Sequence, residues 1–471
     1  WGAFTSHAAA DPPAVAFVAG IGEKEARDGL RSLHRRHLLH HSQGSGCFEL
    51  HPILHSFARE RLQQSGRLGD LAGRHARFYA DRIRPLRDEQ SSPTWTATVR
   101  RILPDLPNVH LGQAWAVEHA PAVALDYFLN LAPYLVATRD EATHAAWGRA
   151  ALPAVETNPA AFPALDRFAL YGQLPESDPA RRQANLERAL SIAREELEEQ
   201  PIEYQVYALS RLALFLHSEA GRATDAEPAL IEALSLAAES GYPDLETHAW
   251  VEVARFFLTL RDRAGLEAVV ERLPAEAPAM HAGGLSGAYY HGLRADVLRA
   301  VGRWAEAVEA YDRIIALHDN IGDLVHGAED RLRRAVCRAR LGDAAGQEDD
   351  VAWVHKRLAD LPLVSRARYQ LALSELALFA GDGEGALAAL NALPEGWRED
   401  PDLTLDTWLA WQQAYLAHGQ TAEARAAGDE ARALAAVKGF TLRFRLEGDP
   451  EAERASSAAP ALLARTRVFG Q

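Results

Sequence analysis

Apolar residues recur along most of this chain at the spacing of amphipathic helices, and turns separate the helices at a nearly constant interval of 38 to 43 residues. Five of these turns are marked by a glycine between two apolar helical segments: Gly221, Gly302, Gly342, Gly381 and Gly419. Further turns are predicted near Arg139, Asp178 and Asp262. Since a single helical hairpin cannot bury its own apolar face, this period predicts hairpins that stack on one another.

Eight hairpins are predicted from this pattern, at residues 120–153, 160–200, 203–240, 244–274, 285–319, 324–360, 363–393 and 403–438. The clearest pair surrounds Gly302, which supplies the left-handed conformation that ends a helix. Trp304, Ala307, Tyr311 and Ile314 follow it at helical spacing. This unit resembles the tetratricopeptide repeat, although the interval here exceeds the 34 residues of the standard repeat.

The amino-terminal segment has a different pattern. Residues 23–36 form a helix candidate with Ala26, Leu30 and Leu33 on one face, followed by two short extended segments around a Gly-rich turn at 42–46. Another helix is predicted after Pro52. Helix, β-hairpin and helix in this order are typical of a winged-helix domain.

The predicted fold class is therefore all-α: a right-handed α-solenoid of tetratricopeptide-like hairpins with a small amino-terminal winged-helix domain. The domain bounds are 1–68 for the winged helix, 69–119 for a helical linker, 120–440 for the solenoid and 441–471 for a fraying tail.

The charge distribution also sets the amino end apart. Residues 1–84 contain 12 basic and 8 acidic side chains, whereas the whole chain of 471 residues has a formal net charge of −15. An acidic surface disfavours nonspecific nucleic-acid binding. Two cysteines far apart fit a reducing compartment, and no apolar run reaches the ~18 residues of a membrane span. We therefore expect a cytoplasmic protein without a secretory leader and, because it begins at Trp1, a piece of a longer one.

Four short stretches resemble one family when taken in order. They are residues 2–5 (Gly-Ala-Phe-Thr), 48–62 (beginning Phe-Glu-Leu-His-Pro), 74–79 (Arg-His-Ala-Arg-Phe-Tyr) and 106–109 (Leu-Pro-Asn-Val). The chain is similar in these features to the carboxyl-terminal half of bacterial STAND-class signal-transduction ATPases, in which a winged helix and a repeat sensor follow a nucleotide-binding module.

The resemblance implies a role for His51, which matches the histidine that contacts the β-phosphate of bound ADP in that family and holds it silent. A histidine beside a helix amino terminus suits a phosphate. The alternative is that His51 only caps its helix. This chain lacks a phosphate-binding Gly-x-x-x-x-Gly-Lys-Ser/Thr loop. ADP or ATP is therefore implied for the full-length protein, and no cofactor is expected in this part.

Candidate ligand residues lie on the first helices of the repeats, which usually line the concave groove. They combine arginines with aromatic rings, which suits an acidic or planar ligand. The set comprises Tyr289, Tyr290, Arg294, Arg331, Arg334, Arg338, Arg368 and Trp411. The alternative is that the aromatic rings belong to the core and the arginines pair with carboxylates on adjacent helices.

The sequence gives less support to a metal site, a DNA-binding site or a catalytic site. Cys47, His51 and His55 could approach one another, but without a paired Cys-x-x-Cys motif we expect no metal site. Direct DNA contact by the arginine-rich helix at 23–36 is not expected, because acidic residues share that helix. No nucleophile motif or cleft with paired carboxylates is recognised, so we expect no enzyme activity from this chain.

These observations favour a regulatory sensor. A protein, peptide or small-molecule trigger would bind in the groove, and the winged helix would relay this to the missing nucleotide-binding module, with transcription or antiviral defence as the output. Two alternatives stay open: a tetratricopeptide scaffold that does not switch, and a regulator that binds DNA through its winged helix.

Overall fold

The computed structural model describes residues 2–5, 9–42, 46–92, 94–138, 140–198, 201–277, 284–439 and 462. The turn predicted near Arg139, the centre of the turn at 42–46 and nearly all of the predicted tail at 441–471 lie outside the described residues. No helix in these ranges is both long and apolar enough to span a membrane.

The chain forms two compact units. The amino-terminal unit comprises Trp1–Ile192 with Gly283–Leu285, and the carboxyl-terminal unit comprises Ala193–Ala282 with Ser286–Gln471. This division lies about two hairpins beyond the predicted start of the solenoid at residue 120. Because the contacts group the first two predicted hairpins with the amino-terminal elements, helical periodicity alone does not mark this boundary.

The amino-terminal unit contains the predicted helix, β-hairpin and helix. The first elements of the unit are α1 (Pro12–Ala19), α2 (Glu23–Arg35), β1 (Leu39–His41), β2 (Phe48–Leu50) and α3 (Pro52–Gln64). The two strands pair antiparallel, with Leu39 opposite Leu50. Leu30, Leu39 and Phe48 form the buried core between α2 and the hairpin. Pro52 begins α3 at the position where a missing N–H costs no hydrogen bond.

Further helices complete this unit. They are α4 (Leu68–Ile83), α5 (Pro85–Asp88), α6 (Trp95–Ile102), α7 (Leu106–His119), α8 (Pro121–Ala137), α9 (Glu141–Thr157), α10 (Ala164–Gln173) and α11 (Pro179–Glu195), the last of which crosses the division. The helices α8 to α11 correspond to the first two predicted hairpins.

A buried asparagine joins the stretches that carried the family resemblance. Asn108, at the start of α7, accepts a hydrogen bond from the Thr5 N–H at 3.2 Å and donates to the Tyr79 hydroxyl at 3.1 Å. His75 Nε2 lies 3.4 Å from its side-chain oxygen. Burial lowers the pKa of His75 to about 4, although the hydrogen bond to Asn108 opposes this shift. His75 is therefore a neutral donor at physiological pH. Residues far apart in sequence thus form one polar core.

The carboxyl-terminal unit is a stack of six helical hairpins, as predicted. Their helices are α12 (Pro201–Ser218), α13 (Ala223–Ser240), α14 (Pro243–Thr259), α15 (Arg263–Val269), α16 (Gly284–Val301), α17 (Trp304–Ile321), α18 (Leu324–Leu341), α19 (Ala344–His355), α20 (Leu363–Phe379), α21 (Gly383–Asn391), α22 (Pro401–Ala417) and α23 (Thr421–Val437). The repeat-defining small residues Ala295 and Ala307 are fully buried, and so is Tyr311. The all-α hairpin stack is thereby confirmed, whereas its right-handedness stays a prediction.

The turns within the hairpins have the conformation that their glycines predict. Gly302, Gly342 and Gly381 all adopt positive φ angles, between 77° and 87°. Arg261 takes this role in the turn predicted near Asp262, with a φ of 55°. Asp262 then caps α15 by accepting a hydrogen bond from the N–H of the residue three positions later at 3.0 Å.

The first turn of the stack contacts the end of the last hairpin. A Cβ atom on Gly221 would lie 2.5 Å from the Val437 carbonyl oxygen, and one on Gly439 would lie 2.3 Å from the Gly221 carbonyl oxygen. The two backbones therefore approach closely enough to exclude any side chain. Leu462 extends this closure, because it is buried and its N–H donates to Glu227 Oε1 at 2.7 Å. The six hairpins thus close on themselves within this unit.

Substitution of Gly221 tests this closure. Gly342→Ala is the matched control, since Gly342 has a similar φ of 79° but a methyl group on it would have no neighbouring atom within 4 Å. We expect the control to lower the free energy of unfolding by about 1–2 kcal/mol through left-handed strain alone. Gly221→Ala should lose about 1–3 kcal/mol more because the new methyl group overlaps the carbonyl of Val437. Urea unfolding followed by circular dichroism measures both, and equal losses would contradict the contact.

Candidate ligand-binding cavity

The first helices of five successive hairpins line an open cavity of about 480 Å³, which we call the inner cavity. It is lined by residues of α14, α16, α18, α20 and α22, together with the turn before α15 and α15 itself. Its apolar lining residues are Leu258, Leu266, Leu332, Val336, Leu371, Leu378 and Leu409. Its size lies in the range of sites that hold small ligands.

Five arginines line the inner cavity, and three of them come from successive first helices. Arg299, Arg333 and Arg368 come from α16, α18 and α20, and each faces a carboxylate across the cavity wall. Arg299 Nη1 lies 3.7 Å from Glu375 Oε2, and Arg368 Nε lies 3.7 Å from Glu329 Oε2. These separations bring opposite charges together but exceed hydrogen-bond length.

Several polar atoms of the inner cavity are buried without a hydrogen-bond partner among the described residues. They are Arg299 Nε, Arg368 Nε and the hydroxyl oxygen of Ser374. Ser374 is fully buried and lines the cavity. A buried polar group without a partner costs about 1–3 kcal/mol.

The arginines stay charged in this setting. Burial lowers the pKa of Arg299, but the carboxylate of Glu375 and other neighbouring groups outweigh it and raise the pKa above its ordinary value. The pKa of Arg333 is raised well above its usual range in the same way, with burial opposed chiefly by Asp296 and Asp330. The cavity therefore offers fixed positive charges next to fixed negative ones.

Of the predicted ligand residues, only Arg368 lines the inner cavity. Tyr290 is fully buried and its hydroxyl donates to the Pro274 carbonyl at 2.7 Å. Arg294 Nε donates to the Leu273 carbonyl at 3.1 Å. These two side chains fasten α16 to the segment that follows α15.

The other two aromatic residues of the predicted set also make contacts between helices. The ring of Tyr289 stacks under the Arg255 guanidinium, 4.0 Å from its centroid. Trp411 stacks on Tyr415 with centroids 5.2 Å apart and packs on the core cluster around Leu390. Tyr290 and Trp411 thus contact the core between repeats, whereas Tyr289 is exposed.

The predicted arginine cluster of α18 has partners within the protein. Arg334 Nε and Arg338 Nη1 both donate to Asp350 Oδ2 at 2.9 Å, and Asp350 is buried on α19. Arg331 Nη2 donates to Asp319 Oδ2 at 2.6 Å, and its guanidinium stacks over Trp353 at 3.8 Å. None of the three lines the inner cavity. They connect α18 to its neighbours α17 and α19.

His51 is the amino-terminal cap of α3. Its Nδ1 accepts a hydrogen bond from the Ile53 N–H at 3.3 Å, and the side chain is exposed. His55, one helical turn later, is buried, and its Nε2 lies 2.7 Å from the Phe4 carbonyl oxygen. The geometry leaves the face of His51 open to solvent in this chain.

Sequence reasoning missed four of the five arginines that line the inner cavity: Arg261, Arg263, Arg299 and Arg333. Arg299 and Arg333 follow an acidic residue by three or four positions, at Asp296 and Glu329. Arg334 follows Asp330 by four positions and lies outside the cavity, so this spacing does not identify the inner face. The predicted cluster gave weight to local arginine density, which does not distinguish the inner face from the face packed on the next helix.

A pair of aspartate substitutions tests the structural assignment of Arg334 and Arg338. Asp350→Asn removes the buried charge that both arginines share, and we expect the free energy of unfolding to fall by about 3–5 kcal/mol. Asp312→Asn, at an exposed partner of the same arginines, should cost less than about 1 kcal/mol. Chemical unfolding measures both. A small effect at Asp350 would return these arginines to the candidates for ligand binding.

Comparisons with known proteins give distant similarities. No protein-family description and no curated protein matches the chain. Among solved structures, BtubC (BKLC) from P. vanneervenii is 20% identical with a TM-score of 0.25, covering 58% of this chain and 98% of its own. A Rap protein complexed with competence and sporulation factor is 13% identical with a TM-score of 0.40, covering 77% and 99%.

A third similar structure is a Signal Transduction ATPase with Numerous Domains protein with a tetratricopeptide repeat sensor from Pyrococcus horikoshii. It is 12% identical with a TM-score of 0.35, and the alignment covers 91% of this chain and 63% of that one. With TM-scores below 0.5, none of the three establishes a shared fold. The hairpin stack and its inner cavity are therefore described from this chain's own geometry.

Proposed function

We propose that this chain is the sensor part of a regulatory protein and that its inner cavity binds an acidic peptide segment. The observation that carries the proposal is the position of Arg299 and Arg368 in the lining of the inner cavity, where each guanidinium group lies 3.7 Å from a carboxylate, beyond hydrogen-bond length. A carboxylate satisfies both charge and hydrogen bonding, because guanidinium–carboxylate hydrogen bonds are among the strongest in proteins.

A peptide suits the lining better than a simple anion. Glu375, Glu329 and Asp406 also line the inner cavity, and they would repel a small anion that carries no positive group. A peptide offers N–H donors along its backbone beside its carboxylates, and the leucines of the wall accept apolar side chains. Ligand contacts on five successive helices would link ligand binding to the curvature of the stack.

The same proposal includes how ligand binding would be transmitted to the rest of a longer protein. Binding would shift the population between two arrangements of the stack, and the trigger must bind the active arrangement better. A winged helix formed by α2, β1, β2 and α3 would pass this to a nucleotide-binding module in a longer protein, where His51 would contact ADP. The motif resemblance at residues 48–62 and the open face of His51 support this step. The output would be transcriptional regulation or antiviral defence in the cytoplasm.

Binding of acidic peptides tests the cavity. Three fluorescein-labelled peptides of equal length, one acidic, one neutral and one basic, are titrated with the protein in buffer containing EDTA and followed by fluorescence polarisation. We expect the acidic peptide to bind best. Arg368→Gln and Arg299→Gln should each weaken it by about 10- to 100-fold, the loss of one charge-assisted hydrogen-bonded contact.

Arg425→Gln is the matched control, because Arg425 is exposed on α23 and does not line the inner cavity. Its binding should equal that of the unchanged protein. Acidic-peptide binding that is indifferent to Arg299 and Arg368 would place the ligand elsewhere. Failure of all three peptides to bind would count against the cavity as a peptide site and favour a scaffold with another surface.

Assays of nucleotide hydrolysis and DNA binding test whether this chain lacks both activities, as the proposal requires. Since the chain has no phosphate-binding loop motif, we expect no hydrolysis of ATP or GTP above the buffer rate, measured by released phosphate. Duplex DNA should also show no salt-sensitive retardation with the chain, because Arg27 on α2 is already paired with Glu23. Measurable hydrolysis would make this chain catalytic, and DNA retardation at low salt would favour the DNA-binding alternative.

A further inference from the structure

Two histidines and an aspartate converge at the turn that joins α17 to α18. His318 lies in the last turn of α17, Asp323 caps α18 and His326 lies in its first turn. One ligand atom from each lies within 4.8 Å of those of the other two. The two imidazole rings stack at a centroid distance of 5.3 Å and an interplanar angle of 15°. None of the three lines the inner cavity.

His318 is buried between two carboxylates. The residue is 6% exposed, and its Nδ1 lies 3.4 Å from Asp323 Oδ2. That nitrogen makes no hydrogen bond of good geometry among the described residues. A buried imidazole nitrogen, a carboxylate oxygen and a second histidine thus converge, as the ligands of a bound cation do.

The other ring nitrogen of His318 faces a second carboxylate. His318 Nε2 lies 3.4 Å from Asp330 Oδ2, and Asp330 is itself held by Arg333 Nη1 at 2.8 Å. Metal binding at Nδ1 would displace the proton carried there to solvent, and Asp330 would hold the proton that remains on Nε2. Histidine ligands of metals commonly have such a partner.

We propose that His318 Nδ1, Asp323 Oδ2 and His326 Nδ1 bind one zinc ion, with water as the fourth ligand. In a tetrahedron with bonds of about 2.0–2.2 Å, ligand atoms lie roughly 3.3–3.5 Å apart, as His318 Nδ1 and Asp323 Oδ2 already do. His326 Nδ1 and Asp323 Oδ2 are 2.5 Å apart and share a hydrogen. The ion replaces that proton, which leaves to solvent.

The donor set selects the class of metal. Two imidazoles with one carboxylate suit zinc, whereas calcium and magnesium require oxygen ligands. Asp323 can hold the ion and keep its capping role, because its Oδ1 accepts the His326 N–H at 3.1 Å while Oδ2 faces the histidines. His326 is partly exposed, which gives the ion a path from solvent. A bound ion would fix the angle between successive hairpins at this turn.

Titration of the full chain with zinc chloride tests the site. After removal of metals with EDTA and dialysis, calorimetry counts the bound equivalents, and visible absorption of added Co²⁺ reports four-coordinate geometry. The chain has 19 histidines, so the decisive quantity is the difference between variants. We expect His326→Asn and His318→Asn each to lose one equivalent together with the Co²⁺ spectrum. Asp330→Asn should keep it with about 10- to 100-fold weaker affinity.

His355→Asn is the control, since His355 lies on α19 and contacts the Tyr369 hydroxyl at 3.0 Å. It should bind as the unchanged protein does. Zinc should also raise the melting temperature of the unchanged protein and the control but not that of His326→Asn, whose partly exposed side chain makes misfolding a minor concern. The same number of equivalents and the same thermal shift in His326→Asn would overturn the site. The peptide titrations are made in EDTA, which removes zinc. Failure of the zinc site therefore leaves the peptide proposal untouched, and failure of peptide binding leaves the zinc site untouched.

Discussion

The carboxyl-terminal unit depends on one constraint: a helix can bury its apolar face only against another helix. Each first helix packs on its own second helix and on the next first helix, and small residues permit this double contact. Ala295 and Ala307 are fully buried where α16 crosses α17, and a Cβ on Gly292 would meet Ile314 at 2.8 Å. Close crossing brings five first helices onto one side, and their remaining faces become the walls of a cavity.

This packing also decides which charges are structural and which are available. Arginines on the face of α18 toward α17 and α19 must pair within the protein, because an unpaired buried charge is costly. Asp350 meets that requirement for Arg334 and Arg338. On the inner face, Arg299 and Arg368 lie farther from their carboxylate partners, at 3.7 Å, whereas Arg333 contacts Asp330 at 2.8 Å. The same residue type therefore connects helices on one face and lines a cavity on another.

The amino-terminal unit is organised around a polar centre. Asn108 joins residues from the first stretch of the chain, α4 and α7, and a neutral His75 completes the hydrogen bonding. Three of the four stretches that resemble signal-transduction ATPases supply these groups. These stretches are therefore held together by one buried side chain, whose hydrogen bonds require each partner at a fixed place. His51, from the fourth stretch, lies on the surface as a helix cap and stays open to a partner.

Local physics let the sequence determine the helices, their turns and their pairing into hairpins. The glycines at the turns take left-handed conformations that other residues avoid, and apolar spacing sets the helix lengths, so hairpins such as α16–α17 and α18–α19 agree with the pattern. Only the tertiary structure decided the rest. Helical periodicity shows that a residue is on a face but not what that face meets, so Arg331 and Arg368 look alike in sequence and differ in environment. The contact of Gly221 with Gly439 and the inner cavity depend on how each hairpin is rotated on the last, which the packing of whole helices sets and no local pattern encodes.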